Sequence, residues 1–270
     1  MEVKEISIKR TRSTKIKLFC LGDIHAGTIH CVEKDIKEKV REIKETKDAY
    51  FVGIGDYAEF ITPNDRRFDP SQKAIAEWVE QDNIAESQTK WIVNLFAPIK
   101  DKCWGLLYGN HEEAIRKFNH DNVAKNICER LGVDNLGFSC FIKLHTSRSS
   151  EANIHNYKLA LTHGASSAIT EGAKVMALMR FMKSMEADVY AYGHVHDYIP
   201  KSLSRMTVSD AGRIKQKVSI GATTGSWFRT YTQGIIASYG EMKAYPPTEI
   251  CCAVFTIDPE HDFIDVNRSV

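Results

Sequence analysis

The sequence predicts an α/β fold in which strands and helices alternate and a mostly β segment follows. Short apolar runs of the length of buried strands recur between segments with helical periodicity. After residue 197 the helical signals fade, while strand-like runs continue. No internal repeat or linker divides the chain, and 270 residues are an ordinary length for one α/β domain. We therefore expect a single domain over residues 1–270.

Composition excludes several classes of protein. The chain is 43% hydrophobic and 26% charged, as in globular proteins, and its formal net charge is only +1. A nearly neutral chain has little electrostatic attraction to nucleic acids or to membrane surfaces, although a local basic patch is compatible with it. The N-terminal MEVKEISIKR lacks the apolar region of a secretory signal, and no apolar run is long enough to cross a bilayer.

The cysteines indicate a reducing environment. There are seven, an odd number, and they include no CxxC pair. Cys251 and Cys252 are adjacent within an apolar run, which is typical of buried thiols and not of a disulfide framework. The sequence therefore predicts a cytoplasmic protein without a membrane partner.

Five apolar runs are predicted to be buried strands, since each has the length of a strand in a covered sheet. They are IKLFCLG (16–22), AYFVGIG (49–55), KCWGLLYG (102–109), YKLALTHG (157–164) and DVYAYGH (188–194). Two more runs, KQKVSIGA (215–222) and ICCAVFTID (250–258), predict strands in the last part of the chain.

Helices are predicted between these strands. VEKDIKEKVREI places Val32, Ile36, Val40 and Ile43 on one helical face. The other predicted helices are segment 72–97, HEEAIRKF (111–118), NVAKNICERLG (122–132) with Gly132 as C-cap, and VMALMRFMKSM (175–185). The methionines of the last helix form a stripe that is more typical of core packing than of a cofactor site.

Each of the five predicted strands ends at polar residues of similar chemistry. These are Asp23 and His25 in G-D-I-H, Asp56 in G-D, Asn110 and His111 in G-N-H-E, His163 in H-G, and His194 and His196 in G-H-V-H. The carboxyl ends of strands in α/β sheets meet at a common crevice. Singly, such residues are usually turn residues or hydrogen-bonded histidines, but the complete series predicts one site.

The chemistry of the series points to metal ions. Residues two apart in an extended segment point to the same side, so both members of D-x-H or H-x-H can reach one centre. Asp, Asn and His together suit Mn, Fe, Zn or Ni. The ligand candidates are too many for one ion and fit two ions that share a carboxylate.

In this order the motifs resemble those of the calcineurin-like metallophosphoesterases. The resemblance implies a four-layer α-β-β-α sandwich of two mixed β-sheets, with the metal site at the strand ends. It also implies hydrolysis of phosphate esters by attack of a hydroxide that bridges two divalent ions, with manganese expected ahead of iron, zinc or nickel. The implied ligands are Asp23, His25 and His196 for one metal, Asn110, His163 and His194 for the other, and Asp56 between them.

His111 has a separate implied role. By the same resemblance it binds no metal and faces the substrate phosphate as a proton donor or charge stabiliser. Glu112 follows it directly, and we expect it either to keep the imidazole charged or to act as an acidic residue in the first turn of a helix.

Two segments depart from better-known members of the family. GDYAEF (55–60) lacks the D-x-V-D-R-G extension of the serine/threonine protein phosphatases. GATTGSWFRTY (221–231) stands where many small members carry N-P-G-S. These departures place the chain among the broader phosphoesterases.

Substrate contacts are predicted outside the motifs. FITPNDRRFDPSQ (60–72) carries Arg66, Arg67 and Phe68, which suit phosphate binding and stacking, or which belong to a turn-rich surface loop. Arg229 is predicted to pair with phosphate, with a solvated hairpin arginine as the alternative. The neighbouring aromatics, Trp227, Phe228 and Tyr231, form either a site wall or part of the core. His30, His120, His145, His155 and His261 match no motif.

Three functions remain open from the sequence. A phosphodiesterase, with a nuclease as one form, is the leading hypothesis, and nucleotides or nucleic acids are then candidate substrates. A phosphomonoesterase that acts on a nucleotide or a phosphoprotein is the second. The third is a catalytically silent scaffold, which is disfavoured because such scaffolds typically lose ligands and this series is complete.

Overall fold

The computed structural model describes residues 1–65, 67–68, 73–148, 154–209 and 211–270. The strands are β1 Glu2–Arg10, β2 Ile16–Gly22, β3 Ala49–Gly55, β4 Cys103–Leu106, β5 Ser139–Arg148, β6 His155–Thr162, β7 Val189–Tyr192, β8 Ile199–Val208, β9 Ile214–Thr223, β10 Cys252–Asp258 and β11 Phe263–Ser269. The α-helices are α1 Glu33–Glu45, α2 Ile84–Phe96, α3 Asn110–Asn119, α4 Val123–Leu131, α5 Glu171–Ser184 and α6 Tyr239–Met242. Short 3₁₀ helices at Gln81–Asn83 and Ala97–Lys102 flank α2.

The strands form two mixed sheets. One has six strands in the order β1-β5-β6-β7-β9-β8, and the other has five in the order β11-β10-β2-β3-β4. β6, β7 and β9 run parallel in the first sheet, as do β2, β3 and β4 in the second. β1 pairs with β5 in parallel, and antiparallel pairs at β5–β6, β8–β9, β10–β2 and β10–β11 complete the two sheets.

An apolar face of each sheet packs against the other sheet. Leu18 and Cys20 of β2 belong to the same fully buried cluster as Ile142 and Leu144 of β5 and Leu159 of β6. Strands covered on both faces need continuous apolar sequences, which explains why β2, β3, β6 and β7 were recognisable as apolar runs.

Helices cover the outer face of each sheet. On the five-stranded sheet, Phe19 and Phe51 pack with apolar residues of α1, α2, α3 and α4. On the six-stranded sheet, Leu178 and Met182 of α5 pack with Tyr190 of β7. The layers are therefore helices, sheet, sheet and helix, which confirms the predicted α/β sandwich of two mixed sheets.

The predicted elements were largely correct. All five buried strands and both later strands are present, although β4 ends at Leu106. The prediction of a helix over 72–97 was wrong in its first half, because residues 73–80 form turns and α2 begins at Ile84. There Trp78 stacks on Trp91 with ring centroids 5.5 Å apart, so a tertiary contact and not helical periodicity accounts for its burial. Strands β1, β5, β8 and β11 were not predicted.

Two further findings concern membrane-spanning helices and the state of the cysteines. No helix in the described part of the chain has the length and apolar character required to cross a membrane. All seven cysteines are free thiols.

Candidate metal centre

The loops that follow β2, β3, β4, β6 and β7 meet at one edge of the two sheets and carry the predicted site residues. The loop after β2 continues beside the loop after β3 through backbone hydrogen bonds. The N–H groups of Ile24 and His25 both donate to the carbonyl of Asp56, at 2.9 and 3.2 Å. Trp227 N–H donates to the carbonyl of Asp23, which ties the segment after β9 to the same edge.

Five of the seven predicted ligand residues share an uncommon backbone conformation. Asp23, His25, Asp56, His194 and His196 have φ angles of 48°, 52°, 51°, 71° and 56°. Non-glycine residues rarely adopt this left-handed region, and such residues concentrate at functional sites, where the surrounding structure holds them. The backbone is therefore shaped to aim these five side chains inward.

The first cluster consists of Asp23, His25 and His196. His196 Nε2 lies 3.4 Å from Asp23 Oδ1 and 3.0 Å from His25 Nε2. The other carboxylate oxygen, Asp23 Oδ2, accepts a hydrogen bond from the N–H of His194 at 2.9 Å. Three donor atoms thus face one point, with the carboxylate orientation fixed by the backbone.

The second cluster consists of Asp56, His163 and His194, with Asn110 beside it. His163 Nε2 lies 3.3 Å from Asp56 Oδ2 and 3.1 Å from Asn110 Oδ1. Its Nδ1–H donates to the carbonyl of Ile54 at 2.8 Å, which leaves Nε2 to face the site. All seven predicted ligands therefore lie in two neighbouring clusters.

Asp56 interacts with both sides of the site. Burial alone would raise its pKa, but His163, His111 and His25 outweigh burial and hold the pKa well below its usual range. Its Oδ1 also accepts the N–H of His111 at 2.9 Å. This position between the clusters suits a shared carboxylate, and the bridging role itself stays a prediction.

Unpartnered buried atoms show that the residues fit metal ions. Asp23 Oδ1 and His194 Nδ1 are buried and have no hydrogen-bond partner among the described residues. Buried polar atoms are costly without a partner, so orphaned atoms inside a donor cluster indicate that the cluster is suited to bind an ion. The nitrogen and oxygen donors suit divalent transition ions.

Glu59 is a site residue that the sequence analysis missed. Its Oε1 accepts the Nδ1–H of His25 at 2.9 Å, and its Oε2 lies 3.8 Å from Nδ1 of His111. Burial alone would raise its pKa, but His111 and His25 lower the pKa to about 2, so the carboxylate stays ionised. A carboxylate on the far nitrogen of a metal-binding histidine fixes the ring orientation and raises its basicity.

Glu112 is an acidic residue in the first turn of α3, which confirms one of the two roles expected from the sequence. Its carboxylate accepts hydrogen bonds from the N–H groups of Asp56, Tyr57 and Gly109, at 2.9, 2.8 and 2.8 Å. Burial and the charge of Asp56 raise its pKa to about 7. Glu112 thus joins the loop after β3 to the start of α3, which positions Asp56 relative to Asn110.

His111 and Arg67 lie together at the mouth of the site. His111 Nδ1–H donates to the carbonyl of Glu59 at 2.7 Å, and its Nε2 lies 4.0 Å from Asp56 Oδ2. Arg67 Nη1 lies 3.0 Å from His111 Nε2, while Asp65 holds the rest of the guanidinium with bonds of 3.0 and 2.7 Å. The structure therefore places Arg67 beside the site, and its contact with a phosphate stays a prediction.

The remaining predicted substrate residues have different positions. Arg66 lies outside the described residues. The Arg229 side chain is exposed and is not among the residues that line the cavity at the site. Trp227 is fully buried, whereas Phe228 lines the cavity with its ring centroid 5.5 Å from that of His25. Only Phe228 of the three aromatics therefore forms a site wall.

Gly109 offers a test of how tightly the site is built. A Cβ at this position would lie 2.1 Å from Asp56 Oδ1 and 2.7 Å from His163 Cε1. Gly109→Ala should therefore weaken metal binding and lower the free energy of unfolding by about 1–3 kcal/mol, the typical cost of overpacking. Metal titration and thermal unfolding measure both effects.

Gly172 in α5 provides the matched control, since a Cβ there would meet open space. Gly172→Ala should leave metal binding unchanged and should be neutral or stabilising, by up to about 1 kcal/mol. Equal effects of the two substitutions on metal binding would contradict the tight fit around Gly109.

Comparisons with known proteins support one family. A family model described as calcineurin-like phosphoesterase matches residues 16–198, a range that includes both clusters. The comparison with curated proteins gives no match. Among solved structures, a Vps29 double mutant from Entamoeba histolytica is 10% identical, covers 94% of this chain and 98% of its own, and has a TM-score of 0.37. Vps29 from Chaetomium thermophilum is 10% identical, covers 94% and 95%, and has a TM-score of 0.38.

Proposed function

Because the chain belongs to the calcineurin-like phosphoesterase family, we propose that it is a phosphodiesterase that requires two divalent ions, with manganese the first ion to test. The observation that carries the proposal is the pair of donor clusters, Asp23–His25–His196 and Asp56–His163–His194, with orphaned donor atoms in each. Asn110 would complete the second set. Two ions bound there would neutralise phosphoryl oxygens and lower the pKa of a water molecule between them, typically from about 15.7 towards 7.

The side chains around the clusters supply orientation and charge. Glu59, through His25 Nδ1, keeps Nε2 of that ring directed into the site. The positively charged guanidinium of Arg67 lies at the mouth of the site, where it can turn from His111 to a phosphate oxygen. These residues would fix the position of the phosphate group before the ester bond breaks.

His111 is the proposed proton donor to the leaving group. Its Nδ1 proton is committed to the carbonyl of Glu59, so donation must come from Nε2. In the described geometry Nε2 faces Arg67, which can only donate, and this arrangement corresponds to the neutral ring. When an anionic phosphate draws Arg67 away, Nε2 would face the leaving oxygen, and the carboxylate of Glu59, 3.8 Å from Nδ1, would offset the positive charge of a ring that carries both protons.

Charge at the site favours diesters over monoesters. A monoester carries roughly one more negative charge than a diester at neutral pH, and its recognition calls for more cationic side chains. Among the described residues that line the cavity, the cations are Arg67 and Lys174, and Lys174 is held by Asp197 at 2.5 Å. Arg67 is also paired, with Asp65 at 2.7 Å, but it alone of the two reaches His111 at the mouth of the site.

We expect kcat/KM for bis(p-nitrophenyl) phosphate to exceed that for p-nitrophenyl phosphate by at least about tenfold, which corresponds to about 1.4 kcal/mol. Both substrates release the same chromophore, so rates with Mn²⁺ at one pH compare directly. A clear preference for the monoester would instead support the phosphomonoesterase function.

The proposal includes a cytoplasmic location, which the seven free thiols support. Nucleotides and nucleic acids stay candidate substrates, and the cavity beside the metal centre narrows that choice.

A further inference from the structure

A large cavity opens beside the metal centre. Its volume is about 640 Å³, within the range of pockets that hold whole small-molecule ligands. His25, Asp56, His111 and His196 form part of its wall, so the cavity and the proposed reaction site are continuous. A phosphate group alone would fill only a small part of this space.

The remainder of the wall is largely apolar. It is built by loops that share no motif with the metal site, including the segments 166–169 and 236–248. Its apolar members include Ile61, Ile75, Ile84, Ile169, Ile236 and Met242. Phe228 lies between this region and the metal ligands, with its ring 5.5 Å from His25 and 5.6 Å from His30.

The charges in the wall disfavour a polyanion. Its described cations are Arg67, which is held by Asp65, and Lys174, which is held by Asp197. Asp56, Glu59 and Asp197 bring three carboxylates to the same wall. A nucleic acid backbone calls for several unpaired Lys or Arg side chains along its path, and the described wall does not offer them.

His30 is a second, independent indication of a ligand. Its side chain lines the cavity and is only 4% exposed, and neither ring nitrogen has a hydrogen-bond partner among the described residues. Burial lowers its pKa, so the ring is neutral at neutral pH and presents one donor and one acceptor. A buried imidazole without hydrogen-bond partners is energetically unfavourable unless a bound molecule supplies a polar atom.

We infer that the cavity binds one organic group of a phosphodiester, and that this group is large, uncharged and mostly apolar, with a polar atom near His30. The inference rests on the proposed function and specifies its substrate class. The metal centre would hold the phosphate, while Phe228 and the apolar wall would select the group attached to it. Such a site favours small-molecule diesters over long nucleic acids.

The test uses p-nitrophenyl diesters whose second group is methyl, phenyl, 2-naphthyl or a carboxylated 2-naphthyl group. With the metal-loaded protein, kcat/KM should rise by about tenfold or more from methyl to 2-naphthyl, since burial of even one methylene is worth about tenfold or more in an apolar pocket. The added carboxylate should reverse most of this gain. Equal values for methyl and naphthyl esters, or a preference for the carboxylated ester, would overturn the inference while the phosphodiesterase function stands.

Two neighbouring isoleucines provide a matched pair of variants. Ile235 and Ile236 are each 39% exposed, but only Ile236 lines the cavity. Ile236→Glu should lower the naphthyl-to-methyl ratio of kcat/KM by about tenfold, and Ile235→Glu should leave that ratio at the wild-type value. An equal fall of this ratio in both variants would contradict the assignment of Ile236 to the substrate-binding wall of the cavity. If no diester is hydrolysed at all, the proposed function itself fails.

Discussion

Asp56→Asn should abolish phosphodiesterase activity and weaken the binding of both ions. The carboxylate lies between the two clusters, 3.3 Å from His163 Nε2, and interacts electrostatically with His25 on the other side. Substitution of residues that only hydrogen-bond to metal ligands typically lowers metal affinity by about 10–100-fold. Replacement of the proposed shared carboxylate itself should therefore lower the metal affinity by more than about 100-fold. Elemental analysis and equilibrium dialysis with Mn²⁺ measure the effect.

Asp48→Asn is the matched control for this substitution. Asp48 immediately precedes β3, at the opposite end from Asp56, and has a similar φ of 55°. Asn tolerates this conformation well, so both variants should fold. Retention of both ions by Asp56→Asn would show that Asp56 is not a shared ligand.

His111→Gln should lower kcat by about 10²–10⁴-fold, the usual contribution of a general acid, while the metal content stays at the wild-type level. The reason is that its Nδ1 is bonded to the carbonyl of Glu59 and its Nε2 faces Arg67, so neither nitrogen belongs to the two donor clusters assigned to the ions. Steady-state kinetics with a phosphodiester whose leaving group is an alkoxide of high pKa, and metal analysis on the same samples, test both statements.

His120→Gln serves as the control, because His120 is the exposed C-terminal cap of the same helix α3 and should affect neither kcat nor metal content. A loss of one ion in His111→Gln would make His111 a metal ligand. A metal-binding role for His111 is compatible with its position, because His111, His25 and Glu59 form a third group of side chains that could hold an ion.

The convergence of the seven predicted ligand residues could be anticipated because each follows a buried strand in a short motif. Apolar runs marked β2, β3, β4, β6 and β7, and the carboxyl ends of such strands meet in space. The left-handed backbone of the ligand residues was not predictable, since it depends on hydrogen bonds between loops such as those from Ile24 and His25 to Asp56. Local sequence patterns do not encode contacts of this kind.

Glu59 and Glu112 show what the motifs leave out. Glu59 reaches His25 across 34 positions of sequence, and Glu112 reaches Asp56 across 56. Glu59 follows the G-D motif in GDYAEF, and Glu112 is the last residue of G-N-H-E, but an acidic residue at these positions is also common at a helix start or on a surface. Only the tertiary structure distinguishes a positioning carboxylate from a solvated one.

The missed strands and the shortened helix have a similar cause. β1 and β8 lie at the edges of the six-stranded sheet, and β8 alternates half-buried and exposed residues with many polar side chains. Such alternation is a weaker signal than an apolar run. In segment 72–97, turns bring Ala76 and Val79 together with Ile84 in a small apolar cluster. The spacing of these apolar residues in the sequence resembles that of a helix, although residues 73–80 are not helical.

The most direct test of the proposed centre is the metal stoichiometry of the intact chain, measured together with activity. Protein freed of metal with a chelator should be inactive towards bis(p-nitrophenyl) phosphate, and titration with Mn²⁺ should restore activity as two ions bind per chain. The donor clusters around Asp23 and Asp56 predict this result. Full activity in exhaustively chelated protein, or restoration of activity by a single ion per chain, would contradict it.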